Sequence, residues 1–139
     1  MSISERREAR ERALSLLYEA AAKQIDPREV LEGLTLPPDP YCALLVTSAS
    51  EHHDASLALI ESTASNWPLD RIGVIDRLVM ELALAELLSD DPPPVAVVLD
   101  EAVELAKMFS TESSGSFVNG ILAAIVATLP PRESLTSSE

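Results

Sequence analysis

The chain has 139 residues, a net charge of −13 and 47% hydrophobic residues. This composition excludes a disordered chain, and the length is that of one domain with a substantial core. The longest apolar run, 121–127, is far shorter than the roughly 18 residues that a membrane-spanning helix needs, so we expect no membrane association.

Helix-starting signals divide the N-terminal part of the chain. The first predicted helix covers 4–23, with Ser2 and Glu5 at the spacing of a capping box. The second is short and ends near Gly33; it begins at Asp26-Pro27, where an acidic N-cap precedes a proline at the first helical position.

Helical periodicity continues to position 129, and no segment shows sustained strand alternation. Asp39-Pro40 starts a long third helix over 41–65, which ends before Pro68. The last three predicted helices cover 72–88, 95–109 and 116–129. The helix over 72–88, the fourth, is apolar on nearly all sides, which suits either the interior or a homodimer interface.

These elements predict an all-α protein of six to seven helices in one domain, 1–129, followed by a disordered polar tail, 130–139. The single cysteine, Cys42, permits no internal disulfide, and we expect it to be a small packing residue near a helix start. Because the N-terminal segment is charged and has no apolar stretch, we also expect no secretory signal and a cytoplasmic protein.

Three arginines lie on one face of the first helix. Arg6, Arg7 and Arg10 are neighbours at i,i+3 and i,i+4 spacing. The same face of the helix carries apolar residues further toward its C-terminus. They repel one another, and a helix start disfavours cations. A cluster placed against both effects predicts a bound anion, such as a phosphate backbone paired to the guanidinium groups.

A solvated helix is the alternative interpretation of these charges. Arg7 has Glu11 at i+4, and Glu8 has Arg12 at i+4, so both pairs can form on the helix surface. Arg6 and Arg10 have no acid three or four positions away. Acids from elsewhere in the fold could still neutralise them, and both interpretations remain open.

The charge is distributed unevenly. Residues 1–28 carry a net charge of +1, while the remaining 111 residues carry −14. Such a body repels nucleic acid at long range and attracts a basic protein. We therefore expect any RNA contact to be local and assisted by a partner.

No constellation predicts an enzyme, a metal or a cofactor. Asp100, Glu101 and Glu104 follow a helix start, and we expect them to form a solvated face on which Lys107 pairs with Glu104 at i,i+3. His52-His53 lacks a further His or Cys at helical spacing, so we expect no metal site. Gly-x-Gly runs are absent, and the few aromatic residues do not predict a base-stacking platform.

Two motifs together resemble the NusB family of transcription antitermination proteins. One is DEAVELAKMF at 100–109, followed after seven residues by FVNGIL at 117–122, and the other is RRxARExALxxLY at 6–18. Trp67 and the segment 76–87 fit the part between them. The resemblance extends over about residues 4–127.

The resemblance implies an all-helical fold of two packed helical subdomains. It implies binding of the boxA element of nascent ribosomal RNA, together with the small-subunit ribosomal protein NusE, within the RNA polymerase antitermination complex. The family's RNA-contacting arginine motif falls on Arg6, Arg7 and Arg10. Its partner-binding region falls near Tyr18 and the helix that contains Glu81 and Glu86.

The FVNG element is interpreted as structural, with Gly120 permitting close helix approach and Asn119 bonding the backbone. Departures from the family pattern at Glu8, Asp100 and 115–116 each remove positive charge or add negative charge. They motivate a second hypothesis, an acidic adaptor that docks NusE or another basic partner but has lost RNA binding. A third is a free-standing relative of the helical domain that precedes RNA cytosine methyltransferase domains.

Overall fold

The computed structural model describes residues 1–130, which form seven α-helices, one 3₁₀ turn and no strand. The all-α prediction is confirmed. The predicted tail, 130–139, lies outside the described residues except for Pro130. The helices are α1 (Ile3–Lys23), α2 (Pro27–Glu32), α3 (Pro40–Glu51), α4 (His53–Thr63), α5 (Val74–Leu87), α6 (Val95–Phe109) and α7 (Ser114–Val126), with the 3₁₀ turn at Leu69–Arg71.

The helix starts predicted from Ser2, Asp26 and Asp39 are confirmed by the hydrogen bonds at their caps. The Glu5 backbone N–H donates to Ser2 Oγ at 3.1 Å. At the start of α3, the Tyr41 N–H donates to Asp39 Oδ1 at 2.7 Å. Each side chain satisfies a backbone donor that the helix itself leaves unpaired.

Asp26 is the most heavily used of these caps. Its carboxylate accepts hydrogen bonds from the Arg28 side chain, from the Arg28 backbone N–H at 2.8 Å and from Ser50 Oγ at 2.7 Å. These bonds favour the charged form, those from Arg28 most, and hold the pKa of Asp26 well below its usual range. The cap thus also ties the start of α2 to α3.

We expect Asp26→Ala to lower the free energy of unfolding by about 1 kcal/mol at neutral pH, the usual cost of losing such a cap. Because the native pKa lies below that of the unfolded chain, the stabilisation is complete above the unfolded value of about 4 and is lost as the pH falls through the native value. Urea unfolding at pH 7 and pH 3 measures both effects. Glu29→Ala, an exposed carboxylate in the same helix, is the control, and a difference that does not shrink with acid would contradict the prediction.

The prediction of one long third helix over 41–65 is wrong, because it missed a break. The chain forms two helices, and His52, at φ −102° and ψ 14°, ends α3 and precedes α4. No glycine or proline lies between 41 and 67, so the sequence gives no local signal for the break. The reason is tertiary: α3 packs against α1, α2 and α5, whereas α4 packs against α5 and α7, and one straight helix does not serve both sets.

α5 is the central helix. All ten residues from 78 to 87 are buried, and the helix contacts α1, α3, α4, α6 and α7. The apolar surface of 78–87 is therefore covered within one copy of the chain. Helices α1 to α3 form one packed subdomain and α4 to α7 the other, as expected.

Cys42 is fully buried near the start of α3, and burial raises the pKa of its thiol. The prediction of a packing role is confirmed. None of the helices that the structure describes is long and apolar enough to cross a membrane.

Candidate nucleic-acid interface

The three arginines of α1 reach three different helices. Arg10 is buried, with 3% of its side chain exposed, and its Nε and Nη2 donate to the two carboxylate oxygens of Glu86 on α5 at 2.9 and 2.8 Å. The bidentate pair is the geometry in which guanidinium and carboxylate bind most strongly. Arg10 therefore joins α1 to the central helix, and its guanidinium does not lie on the described surface.

Arg7 points toward α6. Its Nε and Nη2 donate to Glu101 at 3.0 and 3.1 Å, and this second bidentate pair leaves 48% of the Arg7 side chain exposed. The expected i,i+4 pair with Glu11 does not form among the described residues, because Arg7 has turned to another helix. Glu101 is buried beside it, so the prediction that Glu101 belongs to a solvated face is wrong.

Arg6 has no carboxylate partner in the part of the chain that the structure describes. Its guanidinium carbon lies 4.9 Å from the centre of the Tyr41 ring on α3, a cation–π contact. The Arg6 Nε is buried and finds no hydrogen-bond acceptor among residues 1–130. Buried donors that find no acceptor within the protein are uncommon, so this N–H is available to an acceptor from outside the described chain.

A groove of about 530 Å³ opens beside Arg7, between α6 and the start of α7. Its charged lining is balanced, since it contains two cations, Arg7 and Lys107, and two anions, Asp100 and Glu104. The groove is polar without being basic. Its lining residues are Arg7, Asp100, Val103, Glu104, Lys107, Gly115, Ser116 and Asn119.

The glycine that brings two helices together is not the predicted one. A Cβ on Gly120 would meet nothing within 4 Å, so the expected close approach there is wrong. A Cβ on Gly115 would lie 3.1 Å from Lys107 Cγ and 3.2 Å from Val103 Cγ1. Asn119 is exposed and lines the groove, and its side chain bonds no described backbone group, contrary to expectation.

Glu81 and Glu86 were expected near the partner-binding region, yet both carboxylates lie inside the protein. Glu86 is 1% exposed and accepts from Arg10 and the Tyr41 hydroxyl. Glu81 is 4% exposed and is held by Arg77 and by His53 Nδ1, the latter at 2.7 Å. Neither carboxylate faces solvent: Glu86 pairs with buried Arg10, and Glu81 pairs with Arg77.

Tyr18, in contrast, is 47% exposed at an apolar groove of about 310 Å³ between α1, the start of α5 and the end of α6. Val74 and Phe109 in the same groove are 40% and 46% exposed. Exposed aromatic and aliphatic side chains grouped in this way are typical of a protein-binding surface. No group of side chains suited to holding a metal ion occurs within residues 1–130, and His53 is engaged with Glu81 instead.

The sequence profile of the NusB family matches residues 7–127. The chain belongs to the NusB family. It is 40% identical over 126 residues to the transcription antitermination protein NusB of Geobacillus kaustophilus, covering 89% of this chain and 97% of that protein. It is 42% identical over 143 residues to the protein of the same name from Anaeromyxobacter dehalogenans, covering 92% and 94%.

Solved NusB structures share the fold. NusB of T. maritima superimposes with a TM-score of 0.82 and 31% identity, covering 94% of this chain and 96% of that one. A crystal structure of the antitermination factors NusB and NusE in complex with double-stranded RNA superimposes with a TM-score of 0.75 and 29% identity, covering 92% and 100%. The expected family and fold are thus confirmed.

Two residues of this region were missed as functional candidates. Tyr41 is the ring beneath Arg6, and Glu101 is the partner of Arg7. Each stands far from its arginine in sequence, so helical spacing on α1 gives no sign of it. The one available signal was chemical, namely that uncompensated arginines near a core require acids or aromatic rings from other helices.

Proposed function

We propose that this NusB-family protein is an antitermination factor that binds the boxA element of nascent ribosomal RNA together with NusE. The state of Arg6 is the observation on which the proposal depends. Its guanidinium has a ring beneath it, and within residues 1–130 it has no carboxylate beside it and its buried Nε has no acceptor. A phosphate oxygen would supply that acceptor.

Within this proposal the three arginines have different roles. Arg6 is free to bind phosphate, and half-exposed Arg7 can share its guanidinium between Glu101 and RNA. Arg10 has a structural role, because its guanidinium is paired with Glu86 in the core. Phosphate contacts would supply affinity and position, and the polar groups Ser116 and Asn119 along the adjoining groove are candidates for base contacts.

A protein partner would compensate for the acidic surface. The net charge of −13 opposes RNA at long range and favours a basic ribosomal protein such as NusE. The Tyr18 groove offers that partner an apolar anchor beside the acidic Glu11. The role is that of a non-enzymatic cytoplasmic adaptor in the RNA polymerase antitermination complex.

We expect Tyr18→Ala to weaken NusE binding by about 10-fold or more, because truncating an exposed aromatic anchor at an interface costs this much. Isothermal titration of NusE into the variant measures the change. Ile3→Ala, which truncates a 78% exposed side chain at the start of the same helix, is the control. Equal NusE affinities for the two variants would place the partner elsewhere.

One observation favours the second hypothesis, an adaptor that docks NusE without binding RNA. Asp100 and Glu104 line the groove beside Arg7, and Glu101 already neutralises that arginine. Without added positive charge from a partner, this surface would repel phosphate.

Fluorescence anisotropy with labelled boxA RNA separates the two functions. The chain is titrated alone and with NusE at about 0.05 M and 0.2 M salt, with a scrambled RNA as control. An antitermination factor forms a salt-sensitive ternary complex that prefers boxA. Normal NusE capture without an RNA signal at the higher salt would support the adaptor and overturn our proposal.

A further inference from the structure

Tyr41 connects Arg6 to the buried ion pair between Arg10 and Glu86. The face of its ring lies 4.9 Å from the Arg6 guanidinium carbon. At the other end of the side chain, the hydroxyl donates a hydrogen bond to Glu86, whose carboxylate also accepts both donors of Arg10. One side chain thus touches both the partly buried Arg6 and the fully buried pair of Arg10 and Glu86.

We propose that Tyr41 is a positioning residue that holds the Arg6 guanidinium ready for RNA phosphate. The inference rests on the proposed function and assigns a role within the same site. A long arginine side chain loses rotamer freedom when it binds, and a ring that restricts it beforehand reduces that loss. The ring lowers this entropic cost without neutralising the charge, whereas a carboxylate in its place would compete with phosphate.

The ring is itself fixed. Tyr41 is partly buried at the start of α3, next to the Asp39 cap that bonds its backbone N–H. Burial, with the hydrogen bond to Glu86, raises the pKa of Tyr41, so the hydroxyl stays protonated and remains a donor at neutral pH. Glu86 in turn is fixed by Arg10. The position of Arg6 is therefore determined by contacts that reach the centre of the fold.

Two substitutions separate the ring from the hydroxyl. Tyr41→Phe keeps the face beneath Arg6 and removes the bond to Glu86, whereas Tyr41→Leu removes the face as well. With NusE present, we expect Tyr41→Phe to bind boxA RNA within about 2-fold of wild type and Tyr41→Leu about 5-fold or more weakly, in the range of a partly desolvated cation–π contact. NusE affinity should be unchanged in both variants.

The Arg6→Ala background provides the readout that a purely structural role would not change. If Tyr41 acts through Arg6, Tyr41→Leu has no further effect on RNA affinity once Arg6 is absent. Thermal unfolding of each variant shows whether it is folded at the assay temperature, and Tyr41→Phe keeps the test valid if Tyr41→Leu is not.

Four results would overturn the inference. An equal loss from Tyr41→Leu with and without Arg6 would mean a general effect on the fold. An equal loss from Tyr41→Phe and Tyr41→Leu would assign the effect to the hydroxyl. If wild type binds RNA and neither substitution changes that binding, the role of Tyr41 is rejected and the proposed function stands. Absence of RNA binding by the wild-type complex would reject the proposed function and this inference with it.

Discussion

Replacing Arg6 and Arg7 together by glutamine is expected to weaken boxA RNA binding by the complex with NusE about 100-fold, since two charge-assisted contacts are lost. The slope of log affinity against log salt should fall by about 1.4, or roughly 0.7 for each phosphate contact on a single strand. Glutamine is chosen because its amide can still donate to Glu101, whose carboxylate is buried.

Arg12→Gln with Arg71→Gln is the matched control for this variant. Both arginines are exposed and form no ion pair within residues 1–130, so the control loses the same charge at other places. Arg10 is left unchanged, because replacing a buried partner of Glu86 would destabilise the fold and obscure any RNA effect. An equal loss of affinity in both double variants would mean that net charge alone, and no specific site on α1, governs binding.

Removing the buried acid should have the largest effect on stability. We expect Glu86→Ala to lower the free energy of unfolding by about 3–5 kcal/mol, because Arg10 then keeps its charge in the core without a partner. The Tyr41 hydroxyl loses its acceptor at the same time. Since a domain of this kind has a total stability of roughly 5–15 kcal/mol, urea unfolding should show a large shift of the midpoint.

Two comparisons test the reason for this loss. Glu19→Ala breaks the exposed pair between Lys23 and Glu19, which has a similar distance of 2.8 Å, and should cost no more than about 0.5 kcal/mol. Arg10→Met combined with Glu86→Leu removes both buried charges and should recover most of the stability. A Glu86→Ala variant as stable as Glu19→Ala would show that water reaches the Arg10 guanidinium in the native protein.

Local sequence signals predicted most of the fold. The caps at Ser2, Asp26 and Asp39 place three helix starts correctly because a cap depends only on residues up to three positions away. The apolar character of α5 indicated a covered helix for a similarly local reason. The break at His52 was missed since it arises from two helices packing in different directions.

The candidate site was predicted only in part. Helical spacing correctly placed Arg6, Arg7 and Arg10 together on one helix. The expectation that no acid of the same helix pairs with Arg6 or Arg10 was also correct. That a described carboxylate neutralises Arg10 while none within residues 1–130 neutralises Arg6 could not be predicted, because the contacting residues lie on other helices. Direct RNA contact by these arginines stays a prediction.

The amino-acid sequence by itself determined the helical class, the family and the arginine cluster, because each depends on residues close together in the chain. Tertiary structure alone decided which arginine is available to a ligand. Glu101 is 94 positions from Arg7, and Glu86 is 76 positions from Arg10. Only the packing of α1 against α5, and the reach of the Arg7 side chain to α6, bring such charges within hydrogen-bond distance. The packing of α1 against α3 leaves Arg6 on an aromatic ring.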